Sequence, residues 1–128
     1  MMQVFEIPGR LDGLNEYTNA CRSHWSKGSK MKEANETIVR YCIRGAKLKP
    51  MAGKVAVRIT WVEGIMPGRR QFRPRDRDNI AFAKKFVMDA LVSEGILKDD
   101  NWDRVVSYTD AFRLNRNNPR IIVELEEV

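Results

Sequence analysis

The sequence predicts an α+β fold in the order βαβαββ, with a mixed or antiparallel sheet carrying two helices. Three observations predict it. Short β-type runs, rich in Val, Ile and aromatic residues, fall near both ends and in the middle of the chain. Two longer stretches place apolar residues at three- and four-residue spacing, and Gly, Pro or Asn clusters separate the runs. No repeat, low-complexity segment or linker divides the 128 residues, so residues 1–128 are expected to form one domain. A chain of this length buries roughly two thirds of its unfolded surface and needs no disulfides to fold.

The elements follow in order. Residues 3–7 alternate and stop at Pro8-Gly9, which makes a short first strand. Arg10 to Lys27 has weak periodicity and reads as a loop with a helical turn. From Ser29, a ready N-cap, Met31, Ala34, Ile38, Tyr41 and Cys42 form an amphipathic stripe that Gly45 ends. In Lys54 to Glu63, Val55, Val57, Ile59 and Trp61 alternate with the residues between them, giving the central strand. Gly64 to Arg77 is rich in Pro, Gly and Arg and reads as an exposed loop. A second helix runs from Asp78 or Asn79 to Ser93 on Ile80, Ala83, Phe86, Val87, Ala90 and Leu91, and Gly95 closes it. Strands at 105–114 and 120–125 complete the pattern, and Asn115 to Pro119 reads as a hairpin turn between them.

Composition limits the function classes. With 43% hydrophobic and 31% charged residues the chain is neither disordered nor fibrous. No run approaches the ~20 apolar residues of a membrane span, and the start MMQVFEIPGR lacks the apolar core of a signal peptide. A cytoplasmic protein without membrane contact is expected. Cys21 and Cys42 have no CxxC partner and His24 is the only histidine, so both cysteines are expected to be plain thiols. The net charge of +6 favours polyanions, and its distribution is uneven: Arg69, Arg70, Arg73, Arg75 and Arg77 fall within nine residues.

Beside that cluster stands Asp76-Arg77-Asp78-Asn79, with Asp99-Asp100 after the next helix. Two carboxylates two residues apart in extended chain point to the same side, where they can share a hard cation such as Mg²⁺. Asp99-Asp100 can join them if the following strand pairs beside the central one. The same residue types also serve as plain helix caps, so spacing alone leaves both roles open. An EF-hand is excluded, because the loop from Asp76 lacks the Gly at position six and has Val87 where the bidentate Glu belongs. Lys85, seven residues after Asp78, falls on nearly the same helix face and can meet a phosphate, or else pair with Asp89 on a solvated face. Arg69, Arg70, Arg73 and Arg75 are candidate phosphate contacts. Trp61 reads as core, and Trp102 is the better candidate for touching substrate.

Arg75-Asp76-Arg77-Asp78-Asn79, the helix end Asp89-Ala90-Leu91, and Gly95-Ile96-Leu97-Lys98-Asp99-Asp100 together resemble the RusA family of Holliday junction resolvases. Ile7-Pro8-Gly9-Arg10 and Leu14-Asn15-Glu16-Tyr17 resemble its phage-type members. The resemblance implies a homodimeric endodeoxyribonuclease that uses Mg²⁺, with Mn²⁺ as a substitute, to cut four-way DNA junctions symmetrically in recombination and repair. It assigns the metal to Asp76, Asp78 and Asp100. The family's lysine would stand four residues after Asp78, where this chain has Phe82; counting back from Asp89-Ala90-Leu91 places it at Lys85, and the choice between Lys84 and Lys85 stays open. Two-fold symmetry also suits the task, since one acidic cluster serves one strand and a junction presents two. The alternative class is a non-catalytic basic module that holds DNA while the aspartates cap a helix.

Overall fold

The computed structural model describes residues 1–66, 68, 70 and 72–128. Its elements are β1 (Met2–Pro8), α1 (Leu14–Ser23), α2 (Lys27–Ala46), β2 (Val55–Glu63), α3 (Arg77–Ala81), α4 (Lys84–Ser93), β3 (Val105–Leu114) and β4 (Arg120–Glu127). The class is the expected α+β, with a mixed four-stranded sheet in the order β1-β4-β2-β3. Every expected strand is present. Cys21 and Cys42 are free thiols, and no described helix is long and apolar enough to cross a membrane.

Three details differ from the expectation. The stretch after β1 contains a ten-residue helix, α1, which buries none of its residues fully; its short stripe of Leu14, Tyr17 and Cys21 is diluted by polar neighbours. The second helical stretch is two helices. Between them the backbone stays right-handed but tightens to three-residue hydrogen bonds: Ala83 N–H to the Ile80 carbonyl, Lys85 N–H to Phe82 and Phe86 N–H to Ala83. The tightening lets Phe82 and Phe86 meet edge to face at 5.7 Å while Tyr17 of α1 packs on Phe82 at 5.3 Å.

Third, β3 and β4 do not form a hairpin. β2 lies between them, parallel to β3 and antiparallel to β4. Burial explains the order: Ile121, Val123 and Leu125 of β4 are all inside the core, whereas most of β3 is exposed or half-buried, so β4 takes an inner place and β3 an edge. The Asn115–Pro119 connection crosses the end of β2, where the Asn115 amide donates to the Glu63 carbonyl and the Ile65 amide to that of Arg116, both at 2.9 Å. It passes directly over Gly64, where a Cβ would collide with the Asn115 carbonyl and the Pro119 ring.

The helices cover one face of the sheet. Val39 and Ile43 of α2 and Phe86, Val87, Ala90 and Leu91 of α4 pack on Ile7, Val57, Ile59 and Val123. The other face is polar at its centre, where register partners Arg58 and Glu124 form a 3.5 Å ion pair. The parallel β2–β3 pair, joined through α3 and α4, determines where the acidic residues lie.

Candidate active site

Asp76 and Asp78 flank the start of α3. Asp76 occupies its N-cap position with extended backbone (φ −61°, ψ 146°), yet its side chain makes no capping hydrogen bond. Asp78 spends one oxygen on the Asn79 amide at 2.9 Å. Both are exposed and line one cleft of about 530 Å³ with Glu63, Arg77, Ile80, Phe112 and Leu114. Arg77, between the two aspartates, lies over the Phe112 ring at 5.8 Å, within cation–π range. A hard cation takes one or two protein carboxylates with water and phosphate oxygens for the rest, and this exposed pair fits that donor set.

The residues on either side of the acidic turn, half-buried Arg75 and buried Asn79, are tied down. The Arg75 guanidinium grips the Glu63 carboxylate with Nε at 2.7 Å and Nη2 at 3.3 Å, and its Nη1 donates to the Leu11 carbonyl at 2.9 Å. Arg75, expected among the phosphate contacts, lines the same cleft and sets its charge against the Glu63 carboxylate, which is only 5% exposed. On the other side Asn79 accepts the Asn15 amide at 2.8 Å.

The remaining basic residues lie nearby. Arg70 and Arg73 line a second, open cleft of about 740 Å³ with Phe72, Leu114 and Arg116. Leu114 borders both clefts, so this basic surface adjoins the acidic turn. Arg69 lies outside the described residues.

The endodeoxyribonuclease RusA family model matches residues 14–126. The chain belongs to the RusA endodeoxyribonuclease family. No curated protein matches it. The matched span runs from the start of α1 almost to the end of β4, so it takes in the acidic turn, both clefts and every strand but β1 of this RusA-family chain.

In this RusA-family fold the third aspartate of the pattern stands apart. Asp100 precedes β3, whose start pairs with the start of β2, while the Asp76 cleft lies at the finish of both strands. β3 does pair beside the central strand, but in parallel, so its preceding loop returns to the other end of the sheet. Among the described residues no three His, Cys, Asp or Glu side chains are grouped as an ion would need. Asp100 still acts along β3: burial first, and then its charge, raise the Tyr108 phenol above the usual tyrosine value. Trp102 is fully exposed in the same loop, and Trp61 is core as expected.

Between Asp78 and Asp100 lies Lys84. Its Nζ is 2.6 Å from Asp110 Oδ2 and 5.0 Å from the Tyr108 ring centre, while Asp110 Oδ1 accepts the Trp61 indole N–H at 2.9 Å. Lys85 is exposed. Lys85 shares the face of Asp78 only on one continuous helix, and the break at Phe82–Ala83 separates the two. Asp89, its alternative partner, instead pairs with Lys32 at 3.3 Å. Sequence reasoning missed Glu63 and Asp110 as residues of this region; it counted Arg77 in the basic cluster beside the aspartates without giving it a role, and left Lys84 open beside Lys85. Nothing in the spacing pointed to Arg77, since alternation sends the residue between two same-side aspartates the other way; the turn into α3 is what brings it to the cleft.

Proposed function

We propose that this chain, acting over residues 1–128 as one nuclease unit, cuts branched DNA with a divalent cation, Mg²⁺ or Mn²⁺, and resolves four-way junctions as a homodimer in recombination and repair. The observation that carries the reading is the acidic turn itself. In a RusA-family chain, two exposed aspartates open on one cleft, and the one in the capping position does not cap. Helix capping, the role left to them in a plain binding module, does not account for Asp76.

Asp76 and Asp78 hold the cation; Asp100, the third carboxylate that the family pattern assigns, precedes β3 and does not group with them among the described residues. When bound, the cation supplies charge neutralisation at the scissile phosphate and a more acidic water. Arg77 sits at the mouth and meets the phosphate. Arg69, Arg70 and Arg73 follow the DNA backbone away from the cut and give a salt-sensitive grip. The lysine role falls to Lys85 by the family count, and Lys84 competes for it by facing β3; separate Lys84→Ala and Lys85→Ala variants assign it. Two copies related by a two-fold axis present one acidic turn to each of two opposed strands.

The test is nicking of a synthetic four-way junction with Mg²⁺, with EDTA, and by an Asp76→Asn variant. Cleavage is expected only with metal, and the variant should lose more than about 100-fold in rate while still binding the junction. Metal-independent DNA retention without any nicking would replace this reading with the binding module.

A further inference from the structure

The two residues bracketing the acidic turn are fastened to one short segment. Arg75 donates to the Leu11 carbonyl, and Asn79 accepts the Asn15 amide. Between those points Gly13 presses on Asn79 so closely that a Cβ there would stand 2.6 Å from its Oδ1 and 2.7 Å from its carbonyl oxygen. The same Arg75 guanidinium holds Glu63 at the end of β2. The turn is thus clamped on both sides, by a buried ion pair to the sheet and by the Leu11–Asn15 segment running into α1. Side-chain length matters at each clamp, since a bidentate Arg–carboxylate pair fixes direction as well as distance.

We propose that Glu63, Arg75, Asn79 and the Leu11–Asn15 segment form a positioning frame that sets the separation of the Asp76 and Asp78 carboxylates for a divalent cation. This rests on the metal-dependent reading above and adds to it which residues give the turn its shape. Glu63 and Arg75 line the same cleft as the aspartates, but each spends its charge on the other. A frame of this kind acts through metal affinity, and the loss of a partner that orients ligands typically costs ~10–100-fold. A phosphate contact acts instead through DNA affinity and its salt dependence.

The experiment compares wild type with Gly13→Ala, Arg75→Gln and Arg75→Lys, each checked for folding by circular dichroism. Mn²⁺ is titrated into metal-free protein without DNA and free Mn²⁺ is followed by electron paramagnetic resonance. Junction binding is measured separately in EDTA. Gly13→Ala and Arg75→Gln are expected to weaken Mn²⁺ binding by about 10-fold or more, with junction affinity in EDTA within about twofold of wild type. Arg75→Lys should recover part of the loss, because an ammonium keeps one oxygen of Glu63. If Gly13→Ala does not fold, the Lys–Gln comparison at Arg75 decides.

Unchanged Mn²⁺ affinity in the folded variants overturns the frame. So does a loss of EDTA junction affinity with a flatter salt dependence in Arg75→Gln, which marks Arg75 as a phosphate contact. Wild type that binds Mn²⁺ but leaves junctions intact defeats the resolvase reading and leaves the frame standing. Wild type that binds no Mn²⁺ defeats both.

Discussion

Replacing Asn35 with alanine tests how firmly α2 holds the segment before α1. Asn35 is buried, and its amide makes three hydrogen bonds: Oδ1 accepts the Asp12 backbone N–H at 2.9 Å, while Nδ2 donates to Asp12 Oδ2 and to the Met31 carbonyl, each at 2.8 Å. Two are between neutral groups and one is to a carboxylate. At about 1 kcal/mol for each of the first and about 1.5 for the last, the gross loss is ~3.5 kcal/mol. Alanine's better helix propensity returns about 0.5 kcal/mol, leaving a net loss near 3 kcal/mol. Unfolding entropy of about 2.1 cal/mol/K per residue over 128 residues is ~0.27 kcal/mol/K, so Tm should fall by about 11 °C. Thermal melts of Asn35→Ala, Asp12→Ala and the double variant at pH 7 give both the shift and the coupling. The two single losses should exceed the double loss by more than about 1 kcal/mol. A shift under about 3 °C, or strict additivity, would show that the hydrogen bonds do not tie the segment to α2.

Gly64→Ala should lower Tm by about 4–11 °C, because its Cβ meets the Asn115 carbonyl and the Pro119 ring and overpacking of this kind costs about 1–3 kcal/mol. An unchanged Tm would mean that the crossing loop is not seated there. Glu36→Gln should raise Tm at neutral pH. Burial is the largest influence on the Glu36 carboxyl and lifts it above its usual 4.5; Lys32 opposes the shift and a hydrogen bond with Asp89 reinforces it. With the folded value above the unfolded one, the stability from this group is full below about 4.5 and is lost as pH rises through the folded value. The advantage of the Gln variant should therefore disappear in acid, and a lower Tm for it at pH 7 would show that Lys32 and Arg40 outweigh burial.

Much of the fold was legible because its signals are local. Val55, Val57, Ile59 and Trp61 alternate along β2 and all four are buried, as period two requires. α1 was passed over because its one apolar set, Leu14, Tyr17 and Cys21, is short and set among polar residues, and only Tyr17 packs on the core. The break at Phe82–Ala83 involves neither Gly nor Pro and is made by aromatic packing on Tyr17, a partner more than sixty residues earlier. The Asn115–Pro119 turn has the same chemistry whether it joins neighbours or steps over a strand, so only the relative burial of β3 and β4 distinguishes the two. In the site, the Asp76–Asp78 spacing pointed to the cleft. Arg75 was hidden among similar arginines, and only its distance to Glu63 separates it from them.

The place of β4 orders the making of the protein. β4 is the last strand along the chain, yet it is the one that joins β1 to the rest of the sheet, pairing Met2 with Glu126 on one side and Val55 with Glu127 on the other. During synthesis β1 emerges first and then waits for a partner more than a hundred residues away, so the folding rate carries the cost of closing that long loop. Until β4 has left the ribosome, β2 has only β3 beside it, and Glu63 at the tip of β2 belongs to an unfinished sheet. A nascent or truncated chain lacking β4 therefore carries both aspartates without the completed sheet behind them.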